Sequence, residues 1–181
     1  TRNMSSAASD VYKRQAEDGS TTVYGQRLGS NPITLTNSST VVKVQHPNHG
    51  MYSTSNNVTI TGVSSGVSTT LNGAITATGT SVTLTSATNF PSSGTVHIKI
   101  DNEIMSGTIS GTTISSITRG QGSTTAAAHS NAATIELYMI NSVPLTEINK
   151  THTAIANIGI DSYTISTTTS ASITGASTTA Q

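Results

Sequence analysis

The feature that most restricts what this chain can fold into is an apolar–polar alternation in short runs, each closed by Gly, Asn, Ser or Pro. Thr95 to Ile100 reads TVHIKI, which sets Val96, Ile98 and Ile100 on one face and His97 and Lys99 on the other. A period of two is that of a pleated strand and cannot sit as a helix face. Asn57 to Thr61 (NVTIT) and Ser81 to Thr85 (SVTLT) repeat it. About a third of the chain is Ser or Thr, and its Thr, Val and Ile are stiff at χ1 and suit a pleated surface. No amphipathic helix of normal length is readable, and Pro144 to Lys150 predicts a single helical turn. The expected fold class is all-β.

The runs fall into groups. Ile33 to Thr36 and Val41 to Val44 flank Asn37-Ser38-Ser39 and predict a hairpin. Phe90-Pro91 with Ser92-Ser93-Gly94 predicts a turn before Thr95. Asp101-Asn102 predicts a two-residue connector, because both residues tolerate positive φ. Glu103 to Ile109, Thr112 to Thr118 and Ala133 to Ile140 read as further strands, and Arg119-Gly120-Gln121-Gly122 opens a polar loop that holds His129. His152 to Ile158 and Ser162 to Ser166 read as strands around Gly159-Ile160-Asp161. Short strands with turn signals every 8–12 residues or so point to a sandwich or barrel. Residues 16–31 read as a linker, and 170–181 as a low-complexity tail.

Composition removes several function classes. Charged residues are 9% of the chain, and formal net charge is zero. With no basic excess, neither nucleic acid nor an anionic membrane is an expected partner. Cysteine is absent, so disulfides, thiolate metal sites and a Cys nucleophile are impossible. There is no Trp, one Phe and five Tyr. A core of Ile, Val, Leu and Thr is thin, marginal alone, and stabilised by neighbours as in an assembly.

Ser5 to Gln15 read SSAASDVYKRQ, which resembles an in-frame translation of a common sequencing adapter. Residues 1–15 are therefore set aside as an artefact of a metagenomic fragment, and the native start is expected to be missing. The Thr/Ser/Ala string at the other end marks no obvious domain end. Without residues 1–15 the body holds five basic and seven acidic residues.

Two stretches resemble known modules. Thr88-Asn89-Phe90-Pro91-Ser92-Ser93-Gly94, Ile100-Asp101-Asn102-Glu103-Ile104, Ile117-Thr118-Arg119-Gly120 and Gly122 to His129 together resemble a small β-barrel module of phage tail and baseplate proteins. Val42-Lys43-Val44-Gln45-His46-Pro47-Asn48-His49-Gly50-Met51 with Val58 to Gly62, and Asn149 to Thr153 with Asp161 to Ile165, are similar to the two halves of a small β-sandwich repeat in virion structural proteins. The resemblance implies a split β-sandwich, residues 32–75 plus 141–169, with a β-barrel inserted at 76–140. Loops tolerate such insertions when their ends lie close.

Candidate chemistry is sparse. Gly62-Val63-Ser64-Ser65-Gly66 fits the nucleophile-elbow pattern, but the helix that must follow is absent from the sequence, so a β-turn is the preferred reading. His46, His49 and His152 form a weak candidate zinc set. The competing reading has these histidines and Asn149 hydrogen-bonded to loop backbone, tying the two halves together. Asp101 and Glu103 lack the cleft a glycosidase pair needs and read as a solvated hairpin tip. Arg119 reads as a bidentate loop anchor. Asn37, Asn57 and Asn149 begin N-glycosylation triplets, which a Ser/Thr-rich chain yields by chance.

The expected function is a non-enzymatic structural module of a phage virion (tail, baseplate or neck), assembled in the host cytoplasm. It would act as a rigid β spacer among other virion proteins, as a homo-oligomer, with no cofactor and no catalytic residue. The alternative is an adhesin module for a host-surface glycan or receptor, with Tyr52, Tyr138 and Tyr163 as its aromatic faces.

Overall fold

The computed structural model describes residues 27–172 and 175–176. The adapter-like residues 1–15, most of the 16–31 linker and much of the 170–181 tail lie outside the described residues. The strands in chain order are β1 (Ile33–Leu35), β2 (Val41–Gln45), β3 (Val58–Thr59), β4 (Ser68–Thr70), β5 (Val82–Thr83), β6 (Ser93–Ile100), β7 (Glu103–Ser110), β8 (Thr113–Gln121), β9 (Thr134–Leu137), β10 (Met139–Ile140), β11 (Val143–Pro144), β12 (Thr151–His152), β13 (Ser162–Ser166) and β14 (Gly175–Ala176). One 3-10 turn, Leu145–Glu147, interrupts them where a single helical turn is predicted. The fold is all-β. Among the described residues no helix is long and apolar enough to cross a membrane.

The alternation organises two separate cores. In the first, an antiparallel sheet of order β13-β2-β1-β14 turns one face inward. Ile33, Leu35, Val42, Val44, Tyr163 and Ile165 fill that face. Ile60, Val63, Val143, Leu145, Ile148 and Ile155 pack against them from the ribbons β3–β12 and β10–β11 and their connections. The alternate residues Thr34, Val41, Lys43 and Gln45 face outward. The β1–β2 hairpin forms around Ser38, whose φ of 58° completes the turn.

The second core lies within an antiparallel sheet of order β4-β9-β6-β7-β8-β5. This sheet curls until its edges meet. Leu71 bridges Leu84, Asn72 N–H donates to Thr83 O at 2.8 Å, and Thr85 N–H donates to Thr70 O at 2.9 Å. Curling satisfies the backbone groups that open edges would leave unpaired. Val82, Val96, Ile98, Ile100, Met105, Ile109, Ile114 and Ile135 are buried within it. Each such side chain stabilises by roughly 1.5–3 kcal/mol when fully buried.

Two strand details shape the end of this barrel. Gly107 brings β7 and β8 together, because a Cβ there would lie 2.7 Å from Ile114 Cγ2 and 2.8 Å from Ser115 O. The β7–β8 register slips twice, between Thr108 and Ser106 and between Ser106 and Ile104. Each slip is an added residue on β8, marked by the positive φ of Ser116 (52°) and Gly120 (63°). Such bulges re-aim the side chains beyond them.

Several boundaries differ from the sequence reading. Ser68–Thr70 and Leu71 join the six-stranded sheet and the second core rather than the split unit. β6 starts at Ser93, because Ser93 and Gly94 pair with Ser110 and Ile109 instead of turning. β8 runs on to Gln121, since its bulges let it follow β7 past Arg119. The predicted strand His152 to Ile158 shrinks to Thr151–His152 plus a bridge between Ala156 and Thr164.

The passage between the two units is doubly laced. Leu137 N–H donates to Val67 O at 2.9 Å, and Ser65 Oγ–H donates to Leu137 O at 2.6 Å. Asn149 clamps Val63 from both sides: its Oδ1 accepts the Val63 N–H and its Nδ2 donates to Val63 O, each at 2.9 Å. The outgoing and returning chains are thus held to one another where they cross.

Candidate functional site

The densest set of functional side chains lies at the barrel end where β7 begins and β8 ends. Glu103 has the same strand parity as Met105, Gly107 and Ile109, so it points inward with them. Its side chain is 1% exposed. The bulges on β8 bring Arg119 onto the inner face beside it. The pair is bidentate, with Arg119 Nε and Nη2 each 2.7 Å from a Glu103 oxygen. Arg119 Nη1 donates to Thr76 O (2.8 Å) and Gly79 O (3.2 Å), and Nη2 also donates to Ala127 O (2.5 Å). The fork of guanidinium donors is therefore fully used. Glu103 further accepts the N–H groups of Gly120 (3.1 Å) and Ala127 (3.0 Å).

His129 completes the cluster. Its backbone pairs in both directions with Ile75, which sets the ring over the strand ends. Nε2 lies 2.9 Å from Glu103 Oε2 and Nδ1 lies 2.7 Å from Asp101 Oδ2. Each ring nitrogen thus faces a carboxylate oxygen, one buried and one exposed. Burial pushes the Glu103 carboxyl up, but hydrogen bonds from Arg119, Ala127, His129 and Gly120 outweigh it and hold the group down at about 2. The hydrogen bond to Glu103 raises Arg119 against the opposing effect of its burial.

An open depression of about 460 Å³ lies beside this cluster, lined by Asp101, Asn102, Ser123 and Thr125 among others. Within it, both nitrogens of His129 and both oxygens of Glu103 are already engaged. Thr124 Oγ1 is engaged as well, donating to Gln121 O at 2.7 Å and accepting the Ile104 N–H at 3.0 Å. What the arrangement does is fix the 120–129 loop across the barrel end.

Arg119 is the loop anchor that its position before Gly120 predicts. The reading of Asp101 and Glu103 as a solvated tip is corrected. Asp101 is exposed (62%) with a φ of 51°, but Glu103 is buried one step into the strand. The parity of Glu103 with Met105 and Ile109 was the available signal. His129 carried no local signal, since its partners lie 26 and 28 residues away.

The three histidines of the candidate zinc set are not gathered. His152 Nε2 donates to Ile148 O at 3.0 Å. His46 and His49 are neighbours, with ring centroids 5.6 Å apart and Tyr163 edge-on to His49. His49 Nε2 lies 2.9 Å from Gly159 O, while its Nδ1 accepts the Met51 N–H at 3.0 Å. Among the described residues no three His, Cys, Asp or Glu side chains are placed to hold a metal ion. Burial, then the charge of His49, lowers His46 to about 4. Burial also lowers His152 and His97, partly opposed for His97 by Glu147. His97 Nδ1 is the one buried side-chain nitrogen or oxygen without a hydrogen-bond partner among the described residues.

The remaining candidates resolve locally. Ser64 Oγ accepts the Gly66 N–H at 3.0 Å, and strand β4 follows where a nucleophile elbow needs a helix. Tyr163 is 1% exposed, so its place among sugar-facing aromatics is corrected: strand parity turns it into the core beside Ile165. Tyr138 is half-buried, with its hydroxyl 3.3 Å from Asn149 Nδ2, and Tyr52 is 91% exposed. Comparison with protein-family models, with curated proteins and with solved structures finds no match for this chain.

Proposed function

We propose that this chain is a non-enzymatic structural module of a bacteriophage virion, of the tail, baseplate or neck, in which two β units form a rigid spacer. The observation that carries the reading is the doubly laced passage between the units: Leu137 bonded to both Val67 and Ser65, and Asn149 gripping Val63 from both sides. Paired backbone crossings resist bending in a way that a single Gly/Ser linker does not. The saturated Glu103–Arg119–His129 cluster supports the same reading, since its polar atoms are spent on holding a loop. The sequence resemblances supply the virion context.

Two measurements test it. The chain has no cysteine, so Thr34→Cys on the sandwich and Ser115→Cys on the barrel accept spin labels uniquely. A single narrow inter-label distance is expected, and a broad distribution would remove the rigid spacer. Mass spectrometry of purified phage particles from the source community should find peptides of this chain alongside capsid peptides. Capsid peptides without them would remove the virion assignment.

A second reading, a glycan- or receptor-binding module, is favoured by one observation, the exposure of Tyr52 on a loop of the split unit. Binding on a glycan array that disappears in Tyr52→Ala would promote it over the spacer.

A further inference from the structure

We propose that the tip of the split unit is an acid-released latch, in which a proton on His49, beside His46, frees the 46–53 loop, which carries the exposed Tyr52, from the 156–161 loop. Such a latch does not depend on the virion reading.

The latch is built from few contacts. His46 N–H donates to Asp161 O at 2.8 Å, and Asn48 N–H donates to Asp161 Oδ1 at 3.1 Å. His49 is the piece between the loops. Because its Nδ1 accepts the Met51 N–H, its Nε2 must carry the proton that goes to Gly159 O. Only the neutral ring in that tautomer makes both bonds. A second proton, on Nδ1, faces the Met51 N–H donor to donor and ejects it. The half-buried His46 ring, 5.6 Å away, is a second imidazole on which a like charge would be repelled.

The surroundings offer little to hold a cation. Tyr163 faces both rings from β13, and its hydroxyl, 3.4 Å from His46 Nδ1, is pushed up to about 12 by burial. Asp161, on the facing loop, has one oxygen taken by Asn48. Lys43 sits on the outward face of β2, opposite to Val44, the register partner of Tyr163. The released loops carry Tyr52 and Ile160, 91% and 88% exposed, and Met51 is the residue that anchors the first loop to the core. In the barrel, by contrast, each ring nitrogen of His129 faces a carboxylate oxygen.

The test follows the full chain by 15N NMR from about pH 7.5 to about pH 4.5, a window that spans imidazole titration. The Met51 and Asn48 amides should shift and lose protection by about tenfold beyond the intrinsic pH dependence, as in a local opening. The amides of β6 and β7 beyond His97 should stay in place. His49→Gln keeps a donor for Gly159 but cannot be charged, so its loop amides should lose this pH response. If His49→Gln does not give a dispersed spectrum, His46→Gln should move the Met51 transition towards higher pH by removing the competing ring. A Met51 amide that keeps its position and protection throughout would overturn the latch. So would a variant that retains the wild-type response unchanged.

Discussion

The two units solve the same problem in opposite ways. Each must hold long loops over the end of a thin β core. The split unit does it mostly with neutral groups, His49 between Met51 and Gly159, His152 on Ile148 and Asn149 on Val63, and with lone carboxylates, Asp161 and Glu147, that accept loop N–H groups. The barrel does it with charges: Glu103, Arg119, His129 and Asp101 close the 120–129 loop through short, charge-assisted bonds. Neutral bonds are individually modest, and losing one leaves an unpaired dipole rather than an unpaired charge. A buried ionic cluster is neutral only while it is complete. The barrel is therefore the unit more sensitive to single substitutions, and the split unit the more sensitive to acid.

The sharpest way to break this comparison is Glu103→Gln. It leaves the Arg119 guanidinium, 11% exposed, without its counter-charge. The barrel should lose about 3–5 kcal/mol, as when one partner of a buried pair is removed. Denaturant unfolding with amide exchange at Ile98 and Met105 should show the barrel opening first, while Val42 and Val44 keep their protection. Asp101→Asn should cost less than about 1 kcal/mol, because the exposed Asp101 carboxylate is screened by water. Equal losses in the two variants would mean that burial does not govern the cluster.

Gly107→Ala comes next. The added methyl meets Ile114 and the Ser115 carbonyl at under 3 Å, so β7 and β8 must separate, at about 1–3 kcal/mol. Thermal unfolding of the barrel should move down with the split unit unchanged.

Asn149→Ala removes both clamps on Val63 and should cost about 1–3 kcal/mol by leaving buried backbone groups unpaired. Its distinctive readout is a broadened distance between labels at Thr34→Cys and Ser115→Cys. A distance as narrow as in the parent would show that the Leu137 bonds alone stiffen the passage.

The smallest effect near neutral pH, and the one that best separates the units, is acidification. His46 is lowered from 6.5 to about 4 in the folded chain. Its contribution is complete above its unfolded value and is lost as pH falls from 6.5 towards 4. His152, also in the split unit, is lowered in the same direction, whereas in the barrel His97 on β6 is lowered by burial with Glu147 partly opposing. Glu103 is lowered from 4.5 to about 2, so its contribution persists above 4.5 and disappears only below it. At about pH 5 the split unit, with two lowered histidines against one in the barrel, should have lost more amide protection than the barrel core. Simultaneous loss in both would show that the passage couples the two cores into one cooperative unit.

Much of the fold is legible in the chain because strands are read from local pattern. TVHIKI became the inner and outer faces of β6 residue by residue, and Asp101-Asn102 became the two-residue connector. The failures cluster where a neighbouring strand decides. His152 to Ile158 has strand composition, but beyond His152 it finds only the bridge at Ala156, so it stays irregular. Ser92-Ser93-Gly94 has turn composition, yet β7 offers Ser93 and Gly94 a pairing partner.

The sequence by itself determined the strand class, the two faces of β6 and the role of Arg119 as a loop anchor, because these depend on residue type and a period of two. Only the tertiary structure decided that Glu103 is buried, that Arg119 meets it beside two bulges, and that His129 arrives from a distant loop to lie between Glu103 and Asp101. Those outcomes depend on register and on contacts 16 to 28 residues apart, which no local alternation encodes.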